Sequence, residues 1–141
     1  INMCSTYAAG ANSINFFYNG AVVGYIQQGT ASVTYSTTSD YRLKEDIQPM
    51  VGALEKVTAL KPVTYKWKST GESTQGFIAH ELQAIVPECV TGEKDAVDDD
   101  GNPVYQGIDT SFLVATLTAA IQEQQALIVQ LTQRIETLEA K

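Results

Sequence analysis

The chain has 141 residues and a net charge of −7, with 9 Lys and Arg against 16 Asp and Glu, which argues against a nucleic-acid partner, because neutralising phosphates takes clustered cations. Its 44% hydrophobic content is that of an ordinary folded protein with room for one modest domain. No apolar run approaches the roughly 18 to 20 residues needed to span a bilayer, no signal-peptide pattern opens the chain, and Cys4 and Cys89 stand apart outside any CxxC pattern, so the expectation is free thiols, no membrane, and folding in the cytosol.

Residues 1–38 hold hardly any charge: no Lys, Arg, Asp or Glu precedes Asp40. Short β-prone runs recur at Ile14 to Tyr18, Ala21 to Ile26 and Ala31 to Ser36, and Asn19-Gly20 between the first two predicts a hairpin because both residues tolerate positive φ. A second turn is expected at Gln28-Gly29. So short a segment cannot bury a core alone, and bare strand edges invite pairing. The Phe and Tyr content speaks against a flexible linker, so these residues are read as strands that complete a sheet or an intertwined stem between subunits.

At Ser39-Asp40-Tyr41-Arg42-Leu43-Lys44 the chain turns charged. A serine hydroxyl is a poor nucleophile near neutral pH unless a base takes its proton, and a lysine can do so where burial disfavours its ammonium. Ser39 and Lys44 would leave a helix from different faces, whereas a turn followed by extended chain brings Nζ back to Oγ. The spacing permits a Ser/Lys dyad, and it also fits a solvated face carrying Arg42 and Lys44.

Ile47, Met50 or Val51, Leu54, Val57 and Leu60 recur at three- and four-residue spacing, which predicts a helix from near Pro49 to before Pro62. Val63, Tyr65 and Trp67 then alternate with Thr64, Lys66 and Lys68, the mark of a strand with one buried face, so both aromatic rings are expected in the core. Ser69 to Gln75 reads as a hairpin loop, Phe77-Ile78-Ala79 as a short buried strand, and His80 to Val86 as a short helix closed by Pro87. His80 is the single histidine, so no zinc-like ligand set assembles around it and no metal or other cofactor is expected. Asp95, Asp98, Asp99 and Asp100 before Gly101 suggest calcium, yet EF-hand spacing puts Ala96 at the first ligand position and Gly107 where the closing Glu belongs. A solvated acidic loop is the reading.

The last element is the most regular. Asp109 is placed to cap a helix running on through Ala140. Val114, Leu117, Ile121, Gln124, Ile128, Leu131, Ile135 and Leu138 keep a strict three-four spacing, the seam of a left-handed coiled coil. At about 1.5 Å per residue the helix is roughly 45 Å long, so its far end should protrude and pair with copies of itself. β-branched residues at a with Leu at d lean toward dimers, and the polar Gln124 layer bears on register or strand number.

Ser39-Asp40-Tyr41-Arg42-Leu43-Lys44-Glu45-Asp46-Ile47 resembles the opening signature of the self-cleaving intramolecular chaperone domains of phage tail spikes, neck appendages and endosialidases. Gly76-Phe77-Ile78-Ala79-His80-Glu81-Leu82, followed by Pro87 and Val90, is similar to that family's internal motif. Tyr105 with Ile108-Asp109, leading to Leu113, is similar to a third. The matches run in order from Ser39 to the end, about three quarters of the chain. One departure is His80, where the family usually has Gln. The resemblance implies a homotrimer and an α+β architecture: β-rich passenger stem over 1–38, globular auto-processing domain with short strands and helices over 39–108, and coiled-coil trimerisation helix over 109–141. It also implies a virion tail protein that assembles in the host cytoplasm and sheds its chaperone by autoproteolysis after trimerisation.

The chemistry expected is attack by Ser39 Oγ on the Thr38 carbonyl through a five-membered ring, with Lys44 as general base and an ester that water resolves. Attack on serine's own carbonyl needs a strained four-membered ring, so scission between Thr38 and Ser39 is favoured over Ser39 and Asp40. Asp40 and Glu81 are candidate supporting residues, Glu81 as a group that orients Lys44. Two other readings are an uncut coiled-coil foot and a carbohydrate-binding tip with exposed, coplanar aromatics. A turnover enzyme is the least supported reading: there is no second histidine, no Gly-x-Ser-x-Gly elbow and no phosphate loop.

Overall fold

The computed structural model describes Gly10 and residues 12–140, which leaves Cys4 outside the described residues. They fall into two units, one up to Gln48 and one from Pro49 onward, in a mixed α+β architecture of small sheets and a long last helix.

The first unit is an antiparallel three-stranded sheet, β1 (Asn12–Tyr18), β2 (Ala21–Gln28) and β3 (Val33–Thr37), in sequential order. Asn19 and Gly20 take φ of 48° and 80°, the two-residue turn their identities predict. Gly24 on the central strand faces Phe16 on one side and Thr37 on the other. A Cβ there would sit 2.8 Å from the Ser36 carbonyl oxygen, so only glycine allows the strands to close. Phe16, Phe17, Tyr18 and Tyr35 are all exposed on this sheet.

In the second unit, α1 spans Ala53–Ala59. It starts four residues later than the sequence predicts. Gly52, at φ 71°, breaks the run, and Ile47, Met50 and Val51 lie exposed before it rather than on a helical stripe. No residue of the preceding loop caps α1. Instead the carboxylate of Glu123, from another helix, accepts the amides of Ala53 at 3.1 Å and Leu54 at 2.8 Å.

Strand β4 (Val63–Lys66) pairs antiparallel with β5 (Ser73–Gly76), from Val63 opposite Gly76 to Lys66 opposite Ser73. β5 takes the last three residues of the stretch expected to be loop: Ser73-Thr74-Gln75 offers no apolar alternation, and pairing alone makes it a strand. Phe77 and Ile78 leave the sheet, and Ala79 already opens α2 (Ala79–Gln83), so the expected strand at 77–79 does not form. Trp67 is 54% exposed, because a two-stranded ribbon has no second layer to cover it. Its ring meets Tyr65 edge-on, centroids 5.2 Å apart and planes at 84°.

A 3-10 turn at Pro87–Cys89 leads into β6 (Val90–Thr91), which pairs with β7 (Gly107–Ile108). The acidic excursion between them is pinched by a Val97–Pro103 bridge. Asp98 spends its carboxylate on its own loop, accepting the amides of Asn102 at 2.8 Å and Asp100 at 3.0 Å. Asp109 accepts the Ser111 amide and caps a 3-10 turn that runs into α3 (Leu113–Glu139), as expected.

Two small cores result. Leu82, Val86, Cys89, Val90 and Leu113 form one, with Phe77 and Ile85 packed against it. Burial pushes the Cys89 thiol up, and the charges of Glu88 and Asp109 add to the shift, so it is a packed, unreactive thiol. Ala53, Ala119 and Ala120 form the other, where α1 lies on α3. Thr110–Glu139 is long and apolar enough, by length and composition alone, to cross a bilayer. The Gln122-to-Gln125 interruption and the use of Glu123 as a cap tie its middle to the globular part instead.

Ala120→Leu, which forces three carbons against the fully buried Ala53, is expected to cost about 1–3 kcal/mol in chemical denaturation; a loss below about 0.5 kcal/mol would mean the two helices are not close-packed in solution. The amides of Leu54 and then Ala53 hold the Glu123 carboxyl below its ordinary 4.5. The folded state therefore binds that proton less tightly than the unfolded chain, and the stabilisation is complete above about pH 4.5 and lost as pH falls below it. Glu123→Gln should lower the thermal midpoint at neutral pH and make its decline in acid shallower, as followed by circular dichroism.

Candidate functional site

β3 ends at Thr37, opposite Gly24. The next residue is still tied to β2: the Thr38 amide donates to the Val23 carbonyl at 3.0 Å and its Oγ1 to the Val22 carbonyl at 3.3 Å. Ser39 is thus the first residue beyond the sheet.

The chain then reverses in a 3-10 turn over Tyr41–Leu43, closed by Leu43 N–H to the Asp40 carbonyl and Lys44 N–H to the Tyr41 carbonyl, both at 3.1 Å. Asp40 is its N-cap: Oδ1 accepts the Arg42 amide at 2.9 Å. The Arg42 guanidinium grips the same carboxylate at two points, Nε to Oδ1 at 2.9 Å and a terminal nitrogen to Oδ2 at 2.8 Å. That fork holds the Asp40 carboxyl below its ordinary 3.8, with the backbone amide second, and raises the Arg42 guanidinium in turn.

The reversal returns Lys44 to Ser39. Nζ donates to Oγ at 2.7 Å. Both residues are exposed, so water solvates the ammonium in the single chain. With the amine unprotonated the same contact runs the other way, Oγ–H to Nζ, within reach for proton transfer.

The other anticipated residues lie elsewhere. Glu81, on α2, stands 3.5 Å from Lys61 Nζ in the second unit, whereas Ser39 and Lys44 are in the first. His80 is exposed on the same helix. Val114, Leu117, Ile121, Ile128, Leu131, Ile135 and Leu138 are all exposed, from 41% for Leu117 to 67% for Leu138, and Gln124 is exposed among them. The adjacent stripe of Leu113, Thr116, Ala119 and Ala120 is buried. One face of α3 therefore serves the fold and leaves the expected seam residues uncovered.

Tyr65, Trp67, Phe77, Ile78, Tyr105 and Ile108 line an open groove. Its tryptophan is exposed as a sugar platform requires, but its neighbouring ring stands edge-on rather than coplanar. Among the described residues no three potential metal ligands converge.

Two functional contacts escaped sequence reasoning. Arg42 was read as part of a solvated face, although Asp-x-Arg at the mouth of a turn is the signal of an Asx cap with a charged partner. Glu123 follows Thr116, Ala119 and Ala120 on the body-facing stripe of α3; a carboxylate there asks for donors, but nothing in the sequence says the amides of α1 supply them.

Comparison with known proteins adds context. Residues 39–91 match the model of a peptidase family described as chaperone of endosialidase. The chain is 32% identical to the long tail fiber protein Gp37 of Enterobacteria phage T2 over 93% of its own length. It is 32% identical to Gp37 of Escherichia phage AR1 over 70%, and 30% identical to a probable tail fiber protein of Escherichia phage Phieco32 over 96%. It spans only 9% of each Gp37 and 17% of the Phieco32 protein.

Proposed function

Residues 39–91 belong to the chaperone-of-endosialidase family, and from that premise we propose that this chain is the assembly chaperone of a phage tail fibre, acting as a homotrimer and releasing itself by cleavage at Ser39. The observation that carries the reading is the 2.7 Å approach of Lys44 Nζ to Ser39 Oγ at the residue where the family match begins. Residues 1–38 are then the last part of the fibre stem, 39–108 the processing domain, and 109–141 the trimerisation helix.

The chemistry is an N-to-O acyl shift. Lys44, as free amine, takes the Ser39 hydroxyl proton while Oγ attacks the Thr38 carbonyl carbon. The Thr38–Ser39 C–N bond breaks as Lys44 returns the proton to the departing serine nitrogen, which leaves an ester between Thr38 and Ser39 Oγ. Water hydrolyses that ester to a Thr38 carboxylate and restores the serine hydroxyl, now beside a free α-amine. The two Thr38 hydrogen bonds to β2 support this by holding the acyl side of the bond against the sheet. Asp40 supports the turn, and no step is assigned to Glu81.

Assembly supplies the timing. A fibre of intertwined strands must align its chains before non-local β contacts stabilise them, with bare edges exposed meanwhile. Pairing along Val114, Leu117, Ile121, Gln124, Ile128, Leu131, Ile135 and Leu138 raises the local concentration of the chains and sets their register. Covering the exposed Ser39–Lys44 contact in the trimer disfavours the ammonium and so arms the base. Release afterwards removes the template and leaves the fibre kinetically trapped, in the virion tail, after assembly in the host cytoplasm.

With a folded tag added at the N-terminus, the intact mass of the parent should fall to two fragments split between Thr38 and Ser39. Ser39→Ala and Lys44→Ala should stay whole, at least about 10²-fold slower, and cleavage of the parent should quicken as pH rises, because the reaction uses the amine. A parent that stays whole while trimeric and folded makes the chain an uncut foot. In parallel, Ile121→Asp combined with Ile128→Asp should abolish both the oligomer in light scattering and the cleavage; a monomer that still cuts itself would separate the two.

A further inference from the structure

We propose that Arg42 is a positioning residue for self-cleavage: by gripping Asp40 it holds the turn that presents Lys44 to Ser39, and it keeps the Asp40 carboxylate from competing for the lysine. The inference rests on the cleavage reading above and adds to it a residue that lies outside the Ser/Lys pair.

The turn has little else to hold it. None of its residues is buried, so no core packing fixes it, and its two backbone bonds are at 3.1 Å. Ser39 and Lys44 meet only if the chain reverses between them, and a lysine side chain has four rotatable bonds with which to leave. Against that, Asp40 receives three hydrogen bonds from Arg42 alone, at 2.9, 2.9 and 2.8 Å, one from the backbone of the turn and two from the guanidinium. Together they fix the carboxylate to the middle of the turn on both of its oxygens.

An exposed ion pair contributes little to folding, and this one is exposed on the arginine side. Its consequence is geometric. Misplacing a reacting group by about 1 Å can cost about 10²-fold in rate, so a staple that does little for stability is felt in the chemistry. Occupancy matters as much as rigidity. Asp40 adjoins Ser39 in sequence, and a carboxylate left unpaired there is the natural counter-ion for the Lys44 ammonium. It would draw Nζ from Oγ and favour the protonated form that cannot act as base. Arg42, which cannot be deprotonated, fills both carboxylate oxygens permanently. Lysine at this position would keep the charge without the two-point fork.

The competition leaves a signature that a purely structural staple would not. If Arg42 only stiffened the turn, removing Asp40 as well would change nothing or make matters worse. If it also occupies Asp40, deleting the carboxylate relieves part of the damage. Cleavage of the tagged chain would be followed by intact mass for the parent, Ser39→Ala, Arg42→Lys, Arg42→Ala, Asp40→Asn and the Asp40→Ala/Arg42→Ala double variant, each with its oligomeric mass and thermal midpoint. Arg42→Ala should slow cleavage at least about ten-fold with the trimer and midpoint unchanged, Arg42→Lys less, and the double variant should cleave faster than Arg42→Ala. Arg42→Lys and Asp40→Asn, which keep the polar character of the turn, carry the test should Arg42→Ala fail to assemble. Rates within about two-fold of the parent, or a double variant slower than Arg42→Ala, would overturn the role of Arg42 while leaving the Ser39–Lys44 reading standing. A parent that is never cut overturns both.

Discussion

The globular part and the long helix depend on one contact, the docking of α1 on α3. Ala53, Ala119 and Ala120 let the two backbones approach closely, and Glu123 reaches across to take the first amides of a helix that has no cap of its own. Small side chains make the approach possible and the carboxylate sets its register, since its two oxygens must meet two successive amides. That contact decides the rotation of α3 about its axis. Once Thr116, Ala119 and Ala120 are given to the body, the stripe from Val114 to Leu138 has no alternative to facing outward. That uncovered apolar stripe is the surface on which the proposed pairing of chains relies.

The Ser39–Lys44 turn follows a different logic. It owes nothing to a core, being built from local hydrogen bonds at the end of a sheet. Water surrounds both members of the pair, so the geometry for proton transfer exists before the electrostatics that would use it. In the proposed function, a nucleophile and base placed within reach but solvated form a site that waits. Under that proposal, exposure in the single chain keeps the chaperone from leaving early, and assembly is what would bury and activate the pair.

The neighbouring carboxylates show how environment separates similar residues. Asp40, Asp98, Asp109 and Glu123 each accept backbone amides and are held below their ordinary values. Three of them cap or close turns in their own segment, and Glu123 caps a helix some seventy residues away in sequence. Acidic residues that satisfy backbone donors are committed to structure, which is why the acidic run at 95–100 reads as a loop holding itself together. With two modest cores among its described residues, this small chain uses such polar groups to complete its helix ends.

Much of this was legible in the residues themselves. Asn19-Gly20 dictated its hairpin because few other pairs accept two positive φ angles, Asp109 announced the start of the last helix, and the three-four spacing from Val114 marked a seam. All are local rules, in which residue type and near neighbours suffice. A serine and a lysine five positions apart allowed a contact that the turn then made. Non-local matters lay beyond the sequence: β5 is a strand only because Val63–Lys66 lies beside it, α1 begins where a distant Glu123 caps it, and Trp67 stays exposed because its ribbon received no second layer. The sequence by itself determined where the chain could bend, alternate and associate, since those properties belong to single residues and short spacings. Tertiary structure alone decided which amides Glu123 would satisfy and which face of α3 would remain free, because burial and capping depend on what else arrives in the same place.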